Sequence, residues 1–559
     1  MRRFQRPLAA VTAVALIFGA VPPLGIAEAW AANASGVTQG GAPLDARLEA
    51  WLRHASPNDL VPVIIDHVER PDPHAAVDGS ATKEKAHRQV IDALRSKAAV
   101  DLPPLADALA RQGASDIKQL WISNSIVARV PARLVAALAR QPDVGSVRLD
   151  ETLRAVPPTY SLSSTAVPSW NIAGVNAPNL WSLGFTGQGT VVGLMETGVD
   201  AAHPDLKDRW RGGTNSWFDP HGEHATPYDA SGHGTNVASL AVGGSASGTA
   251  VGVAPGAKWI AAKIFNDAGE AQLSQVHQAF QWMLSPDGDA ATADAPQVVN
   301  ASWNLLGTTG LCDQEFATDI QALRAAEIAV VFSAGNEGPY AGTSVSPANN
   351  AGTLAVGAID ANNAVADFSS RGPTACTAAT PYPSLVAPGV DVRAADLTYD
   401  GTIPSSYSYI SGASASAPHV AGAMALLLSA FPGLKVAELE GLLTRSALDL
   451  GVTGTDPVAG AGKLDVMAAY NLKANGAGPE SSIKVVTVLW NARTKVLTVE
   501  ASSALGKAGN LQLVGFGKMT WNARKSLWTL SVRASAKPIS ITVTGPEGTV
   551  TVSTSDYGV

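Results

Sequence analysis

Blocks of apolar residues with the period of a strand or of a helix alternate in the first third of the chain. Short apolar runs predict strands at 60–66, 121–130 and 145–149. Longer amphipathic patterns predict helices at 82–112, with a break at 102–104, and at 131–140. This order of elements predicts a small α+β domain at 57–155. We expect the polar residues 32–56 before it to form a loose leader.

A different pattern begins near residue 189. Continuous apolar runs recur at 190–194, 258–262, 297–299, 328–332, 353–356 and 385–387. Helical patterns separate several of these runs, as in the apolar face formed by Leu273, Val276, Phe280 and Met283. Such runs are typical of parallel strands that are buried on both faces, so the sequence predicts an α/β domain with a parallel sheet at 160–475. Sheets of this kind carry their chemistry at the carboxyl ends of the strands.

The last part of the chain, 476–559, combines strand patterns with an internal repeat. The segment VLWNAR at 488–493 recurs as MTWNAR at 519–524, and Val, Thr and Ile alternate through 539–552. These patterns predict a small β-sandwich. It could attach the protein to a substrate or a surface, or it could be a passive stabilising module. A stretch rich in Pro, Ser and Thr at 157–168 predicts a linker between the first two parts.

The composition indicates a folded protein of several domains. Of the 559 residues, 46% are hydrophobic and 15% are charged, which excludes a disordered chain. The net charge is −8, and no basic stripe indicates nucleic-acid binding. We therefore expect no nucleic acid among the partners.

The N-terminus and the cysteines predict export. Three arginines precede an apolar run at 8–21, and small residues follow at 29–31, which predicts a signal peptide at 1–31. Cleavage is expected after Ala31, with Ala29 as the alternative, and we expect no later segment to span a membrane. Cys312 and Cys376 suggest one disulfide in an exported protein, and two free thiols are the alternative.

Residues that can carry out acyl transfer follow the predicted strands. Glu196 ends the first apolar run, His233 lies between two glycines, and Asn336 lies in the turn after the run 328–332. The stretch 411–422 places serines among small residues at the start of an apolar helix, where the helix dipole favours a nucleophile. Each feature alone has an ordinary interpretation as a cap or a turn residue. Together, an acid, a histidine, an amide and a serine are the groups needed for a serine nucleophile.

These residues resemble the subtilisin-like serine peptidases, the subtilase family, over about 170–470. The matching segments are 232–235 (GHGT), 333–338 (SAGNEG), 368–373 (FSSRGP), 386–389 (VAPG), 411–422 (SGASASAPHVAG) and 460–465 (GAGKLD). Any one of them alone is moderate support, whereas all of them in the family's order are a specific signal. The arrangement of the chain looks most like exported bacterial members of the bacillopeptidase F type.

The resemblance assigns catalytic roles by register. The family's nucleophile stands four residues before the proline of the serine motif, which makes it Ser414 rather than Ser411 or Ser416. His233 would take the proton from Ser414 and later give it to the leaving amine. Asn336 and the backbone N–H of Ser414 would stabilise the oxyanion. Loss of the corresponding asparagine in subtilisin costs about 10²–10³ in turnover, a value that we borrow.

The acid is where this sequence departs from the family. The family has Asp-Thr-Gly at the end of the first strand, and here the first residue of that motif is Glu196. The side chain is longer by one methylene, about 1.5 Å of bond length. We predict that Glu196 orients His233, because Asp200 and Asp205 fall where the family has other carboxylates. The alternative is a catalytically weak or inactive pseudopeptidase, used as a binding protein, and a third hypothesis is an adhesive protein whose function lies in residues 476–559.

The resemblance also implies a polypeptide substrate that binds between two backbone edges as an added strand. The substrate-binding residues would be Gly269, Ala271, Ser302, Trp303 and Gly335. Glu270 would favour basic residues a few positions before the cut, although a solvated loop carboxylate is the simpler interpretation. No charge is evident in the specificity pocket, which predicts an apolar or broad preference.

A self-inhibited zymogen follows from the same resemblance. Residues 57–155 would be an inhibitory propeptide that acts as an intramolecular inhibitor, and self-cleavage would fall between Arg154 and Pro168. No cofactor is required for catalysis in the family, whereas a structural calcium ion with Asp205 as a ligand is implied. We expect the protein to be a monomer.

Overall fold

The computed structural model shows three structured parts, one for each pattern in the sequence. It describes residues 44–78, 81–155, 159–160, 169–376, 381–475, 483–491, 493–503, 511–534, 537–538, 540–545 and 548–553. The predicted signal peptide, 1–31, and most of the predicted linker, 157–168, lie outside the described residues.

The N-terminal domain is a four-stranded antiparallel sheet with helices. Its strands, in spatial order, are Ser115–Leu120, Ser125–Pro131, Leu60–His67 and Val144–Leu149. Its helices are Ala46–Leu52, Lys83–Arg111 and Ala132–Leu138. The α+β architecture agrees with the prediction for this part of the chain.

Two of these helices differ from the prediction. The helix Lys83–Arg111 continues through both prolines at the predicted break. Its inner face stays buried there, because Leu102 and Leu105 pack into the core of the domain. The helix Ala46–Leu52 lies in the expected loose leader, and its Leu48 is fully buried in the same core. The N-terminal domain therefore begins before residue 57.

The central domain is built on a parallel sheet of seven strands. In spatial order they are Leu385–Pro388, Leu354–Ile359, Ala329–Ser333, Val298–Ala301, Val191–Glu196, Lys258–Lys263 and Trp217–Phe218. Every strand pair in this sheet is parallel. All six strands that the apolar runs predict are present, and the α/β fold class is confirmed.

Helices and short strands surround this sheet. The helices are Trp170–Gly174, Ala177–Ser182, His233–Val242, Leu273–Leu284, Ala317–Ala325, Ala413–Ala430, Val436–Arg445 and Val466–Ala474, with a 3-10 turn at Lys207–Arg209. The short strands are Thr152–Arg154, which pairs with Glu270–Gln272, and Thr159–Tyr160, Tyr407–Ser411 and Val392–Ala395, which form a second small sheet. A disulfide joins Cys312 to Cys376.

Both faces of the parallel sheet are covered. Neighbouring residues of one strand, such as Val298 and Val299, belong to separate apolar clusters on opposite faces. The helix Ala413–Ala430 is part of the cluster that contains Val298. By length and composition this helix could cross a membrane, which the sequence-based expectation did not anticipate. Nevertheless, 83% of its residues are buried inside the domain, and it is the core helix of the fold.

The C-terminal module consists of two four-stranded antiparallel sheets with a shared apolar core. One contains Lys484–Asn491, Val496–Ser502, Leu527–Arg533 and Thr520–Asn522, and the other contains Gly517–Lys518, Gln512–Leu513, Ser540–Gly545 and Gly548–Ser553. The two copies of the repeat form two hairpins. In each turn an asparagine, Asn491 or Asn522, accepts backbone N–H groups two and three residues later. The predicted β-sandwich is present.

Candidate active site

The strand Val191–Glu196 ends in a buried carboxylate at the carboxyl edge of the sheet. Glu196 is fully buried. Its Oε2 lies 2.8 Å from Nδ1 of His233, and its Oε1 accepts a hydrogen bond of 2.8 Å from the backbone N–H of Ser302. Because an ionised carboxylate only accepts hydrogen bonds, Nδ1 carries the proton and Nε2 is left free to act as a base. The longer acid therefore reaches the imidazole, and the pseudopeptidase alternative is not supported.

His233 begins the helix His233–Val242, and close packing fixes its position. The next residue is Gly234, and a Cβ there would lie 2.0 Å from the carbonyl oxygen of Gly198. The buried carboxylate of Asp229 accepts hydrogen bonds from three backbone N–H groups of the loop around His233, those of residues 231, 232 and 235. This carboxylate shapes the loop, and the sequence analysis assigned it no role.

The surroundings of His233 favour its charged form. Burial by itself lowers the pKa of His233, but the charge and hydrogen bond of Glu196, together with the charge of Asp229, raise this pKa above its ordinary value. An imidazole that is stabilised in its protonated form is suited to take a proton from a serine.

Ser414 lies in the first turn of the helix Ala413–Ala430, as the register predicts. A Cβ built on Gly412 would lie 3.0 Å from the Ser414 hydroxyl and 3.5 Å from the side-chain nitrogen of Asn336. Asn336 is held in this orientation because its Oδ1 accepts a hydrogen bond of 2.8 Å from the backbone N–H of Ala413. Its nitrogen is therefore able to donate to an oxyanion next to Ser414.

One cavity brings these groups together. It has a volume of about 70 Å³ and is lined by Thr159, His233, Ser302, Trp303, Asn304, Ser333, Gly335, Asn336, Glu337, Ser411 and Ser414. A carbonyl group in this cavity would meet a hydroxyl nucleophile, a base and an amide donor. Ser416 is fully buried and does not line the cavity, in keeping with the register that selects Ser414.

Glu337 places a carboxylate on the wall of this cavity, where the sequence analysis expected no charge. Its Oε1 accepts a hydrogen bond of 3.1 Å from the side chain of Asn304, and its Oε2 accepts one of 2.8 Å from the hydroxyl of Ser370. In the sequence, the only sign that Glu337 lines the cavity was its position directly after Asn336. The prediction of an uncharged pocket is therefore wrong for this wall.

The predicted substrate edge at Ser302 and Trp303 borders the catalytic groups. The Ser302 hydroxyl donates a hydrogen bond of 3.0 Å to the carbonyl oxygen of Ser414. The indole of Trp303 is buried and packs edge-on against Phe332, with ring centroids 5.3 Å apart. The side chain of Trp303 thus anchors the edge in the core.

The opposite edge, which contains Gly269 and Ala271, is paired with the end of the N-terminal domain. The strand Thr152–Arg154 runs antiparallel to Glu270–Gln272, and Leu153 lies opposite Ala271. Ala155 N–H donates a hydrogen bond of 2.8 Å to the Gly269 carbonyl. Arg154 and Glu270 form an ion pair of 2.6 Å.

The surroundings of Asp205 do not fit the calcium ion that the family resemblance implies. One carboxylate oxygen accepts a hydrogen bond of 2.6 Å from the backbone N–H of Ala246, and the other accepts one of 2.7 Å from the Tyr407 hydroxyl. The guanidinium of Arg393 lies 3.8 Å from the centre of the Tyr407 ring. Calcium requires several oxygen lone pairs, whereas both oxygens of this carboxylate already accept hydrogen bonds from protein donors, and a cation stacks on the ring of one of these donors. No step below involves calcium.

The chain is similar to known serine peptidases over most of its central part. Residues 187–462 match the subtilase family. Bacillopeptidase F of Bacillus subtilis is 35% identical over 370 residues, which are 60% of this chain and 24% of that protein. Subtilisin E of Bacillus subtilis is 31% identical over 381 residues, which are 67% of this chain and 89% of that protein. This chain thus covers about a quarter of bacillopeptidase F and nearly all of subtilisin E.

The geometry and the comparisons agree. The imidazole, hydroxyl and amide donor that the motifs predict line one cavity at the carboxyl edge of a parallel sheet, and the predicted carboxylate is buried behind the imidazole and bonded to it. The similarity to subtilisin E covers 89% of that protein at 31% identity. The chain therefore belongs to the subtilase family, and its central domain is that of a subtilisin-like serine endopeptidase.

Proposed function

We propose that this protein is an exported serine endopeptidase that is made as a self-inhibited zymogen. The observation that supports inhibition best is the hydrogen bond from Ala155 N–H to the Gly269 carbonyl. Through this bond and the pairing of Thr152–Arg154, the end of the N-terminal domain occupies an edge to which a substrate would add as a strand. Other polypeptides are kept from that edge until this segment leaves.

The chemistry follows from the positions of the side chains. The Ser414 hydroxyl oxygen attacks the peptide carbonyl while Nε2 of His233 takes the hydroxyl proton, and Glu196 stabilises the imidazolium. The oxyanion accepts a hydrogen bond from the side chain of Asn336. The carbon–nitrogen bond then breaks, and His233 gives its proton to the leaving amine. Water then enters, loses a proton to His233 and attacks the acyl carbon, and the ester bond to Ser414 breaks as His233 returns the proton to the Ser414 oxygen.

The bond cut in maturation lies between Ala155 and Thr159. Ala155 is bound to Gly269, and Thr159 pairs with Ser411 and lines the cavity of Ser414 and His233. Residues on both sides of the proposed cut are thus bound to the central domain near the catalytic groups. Residues 156–158 lie outside the described residues.

We also propose that Glu270 favours a basic residue a few positions before the cut. The ion pair of 2.6 Å between Arg154 and Glu270 is the basis for this preference. The Arg154 side chain is largely exposed and that of Glu270 is 35% exposed, so the contribution of the pair to binding is modest, about 0.2–1 kcal/mol.

The mature N-terminus tests processing and export together. In full-length protein secreted by a bacterial host, we expect the mature chain to begin within residues 156–159, and a chain that still carries the N-terminal domain would contradict the proposal. A fluorophosphonate probe should then label the mature protein. Labelling should disappear in Ser414→Ala and persist in Ser416→Ala. Equal labelling of both variants would contradict the assignment of Ser414.

The C-terminal module is a second candidate site of function, because it has its own apolar core. A chain that lacks residues 476–559 distinguishes the hypotheses. We expect it to keep most of its activity on a soluble peptide. Full loss of this activity, with the central domain still folded by circular dichroism, would mean that the module belongs to the catalytic machinery.

A further inference from the structure

Lys263 is a fully buried cation at the end of the strand next to the triad acid. Its side chain is 0% exposed. The Nζ atom donates hydrogen bonds of 3.0 Å to the Thr197 carbonyl and 2.8 Å to the Phe265 carbonyl, and it lies 3.1 Å from Oδ1 of Asp267. Burying an ammonium group is costly unless all of its protons have partners. Here three acceptors match its three protons, so the group is held in one place.

One of these acceptors belongs to the turn that carries the triad acid. Glu196 lies opposite Lys263 in the parallel pair, and Thr197 is the next residue. The Thr197 hydroxyl donates to Asp229 and accepts the backbone N–H of Gly234, which follows His233. Thr197, the residue that follows the triad acid, is thus fixed by Lys263 at its carbonyl and by the histidine loop at its hydroxyl.

The other two acceptors belong to the segment that leads to the substrate edge. Phe265 and Asp267 precede Gly269, whose carbonyl binds Ala155. Burial raises the pKa of Asp267, but hydrogen bonds from His224 and Lys263 hold this pKa below its usual range. One ammonium group therefore joins the acid turn to the substrate edge.

We infer that Lys263 is a positioning residue of the peptidase that acts through Glu196. It does not touch the reacting atoms, and its ammonium group has no hydrogen bond or ion pair with the triad residues or Ser302 among the described residues. It fixes the backbone from which Glu196 reaches His233. Since misplacement of a catalytic group by about 1 Å can cost about 10²-fold, loss of Lys263 should lower kcat with little change in KM. The inference rests on the proposed peptidase activity.

A double-mutant cycle tests this role. The variants are Lys263→Met, which keeps an unbranched side chain up to the ε position but removes the ammonium, Glu196→Gln, and the two changes combined. Every variant is matured with a trace of wild-type enzyme, purified, and reacted with a fluorophosphonate probe. Lys258→Met is the matched control, because Lys258 lies on the same strand, its side chain is exposed, and its Nζ atom donates to the Asp208 carbonyl, away from the acid turn.

With Glu196 present, Lys263→Met should react about 10–100-fold more slowly than the wild type. In the Glu196→Gln background the same change should cost less than about threefold, because the carboxylate that Lys263 positions is gone. Lys258→Met should react at the wild-type rate. Equal losses in both backgrounds would overturn the inference, since a general loss of structure does not depend on Glu196.

Two further variants keep the inference testable if Lys263→Met does not fold. Lys263→Arg keeps the charge and should recover part of the rate. Asp267→Asn removes only the half-exposed partner and should slow the reaction a few-fold, again only when Glu196 is present. A wild-type protein that does not react would contradict the proposed function, whereas a reactive wild type with additive losses would contradict only the role of Lys263.

Discussion

A hydrogen bond of 2.8 Å runs from the backbone N–H of Ser302 to Glu196, on the carboxylate oxygen that does not face His233. The acid is thus held at both oxygens, one by the histidine and one by the substrate edge. A flexible glutamate loses rotamer freedom when it is fixed, and two directed hydrogen bonds restrict it to one orientation. This relationship explains how the longer acid occupies the place of an aspartate.

Shortening the acid should therefore harm the enzyme. In Glu196→Asp the carboxylate is withdrawn by one methylene, and it cannot keep both hydrogen bonds without a shift of the backbone. We expect kcat to fall about 10–100-fold. In Glu196→Gln the charge is lost, and a fall of about 10⁴ is expected by analogy with other serine triads. Steady-state kinetics on a soluble peptide provide the measurement, and an increase in Glu196→Asp would contradict the assignment.

The carboxylate on the cavity wall should influence specificity. Glu337 lines the cavity of Ser414, so it should attract a basic side chain directly before the cut. Glu337→Gln should lower kcat/KM for a lysine substrate about tenfold relative to a leucine substrate. Glu270→Gln serves as the matched control, since it should alter the preference only at positions further from the cut. Cleavage of a library of peptides varied at each position shows whether Glu337 or Glu270 determines the preference at a given position of the substrate.

Chelation should leave the thermal stability unchanged. Protein donors surround Asp205, so we expect EDTA to change Tm by less than about 1 °C. Tyr407→Phe removes a hydrogen bond to a buried charge and should lower Tm by roughly 3–6 °C. Calorimetry of the mature protein with EDTA or with calcium provides the comparison. The calcium prediction would be upheld if EDTA lowered Tm in the wild type but not in Asp205→Asn.

The zymogen should lose stability in alkali. Burial lowers the pKa of His277, but Asp319 and Glu315 raise it to about 9. This pKa lies above the pKa of about 6.5 that histidine has in an unfolded chain. His277 therefore contributes fully to the free energy of unfolding below pH 6.5, and this contribution is lost as the pH rises through 9. Arg148 pairs with both Glu315 and Asp66 and so extends this cluster of charges.

The measurement is the free energy of unfolding of Ser414→Ala zymogen between pH 6 and 10. It should fall over this range, and His277→Gln should flatten the fall. An equally steep fall in both proteins would show that other groups are responsible.

The sequence could predict those features that depend on the order of residues along a short stretch of chain. The runs that became buried strands are continuous because both faces of the sheet are covered, and the motifs placed Glu196, His233, Asn336 and Ser414 before any coordinates. The break predicted at 102–104 was wrong, since tertiary packing of Leu102 outweighed the local preference of proline. Local order alone cannot reveal which amide reaches Glu196, since that partner lies 106 residues away.

The same limit applies to the charged residues. Glu337 and Lys263 have an ordinary appearance in the sequence, and only the fold brings them to the cavity and to the acid turn. Their partners are backbone carbonyls and side chains whose positions follow from the packing of several loops. The positions of Glu337 and Lys263 relative to these partners could therefore not be predicted from sequence patterns.

The cluster of charges around His277 also governs how the two domains meet. Asp66, Arg70 and Arg148 lie on the N-terminal domain, and His277, Glu315 and Asp319 lie on the central domain. With His277 protonated, the six charges cancel, but the first three sum to one positive charge and the last three to one negative charge. When the domains separate, these two patches therefore carry complementary charge, and a freed N-terminal domain should rebind faster at low ionic strength and slower in salt.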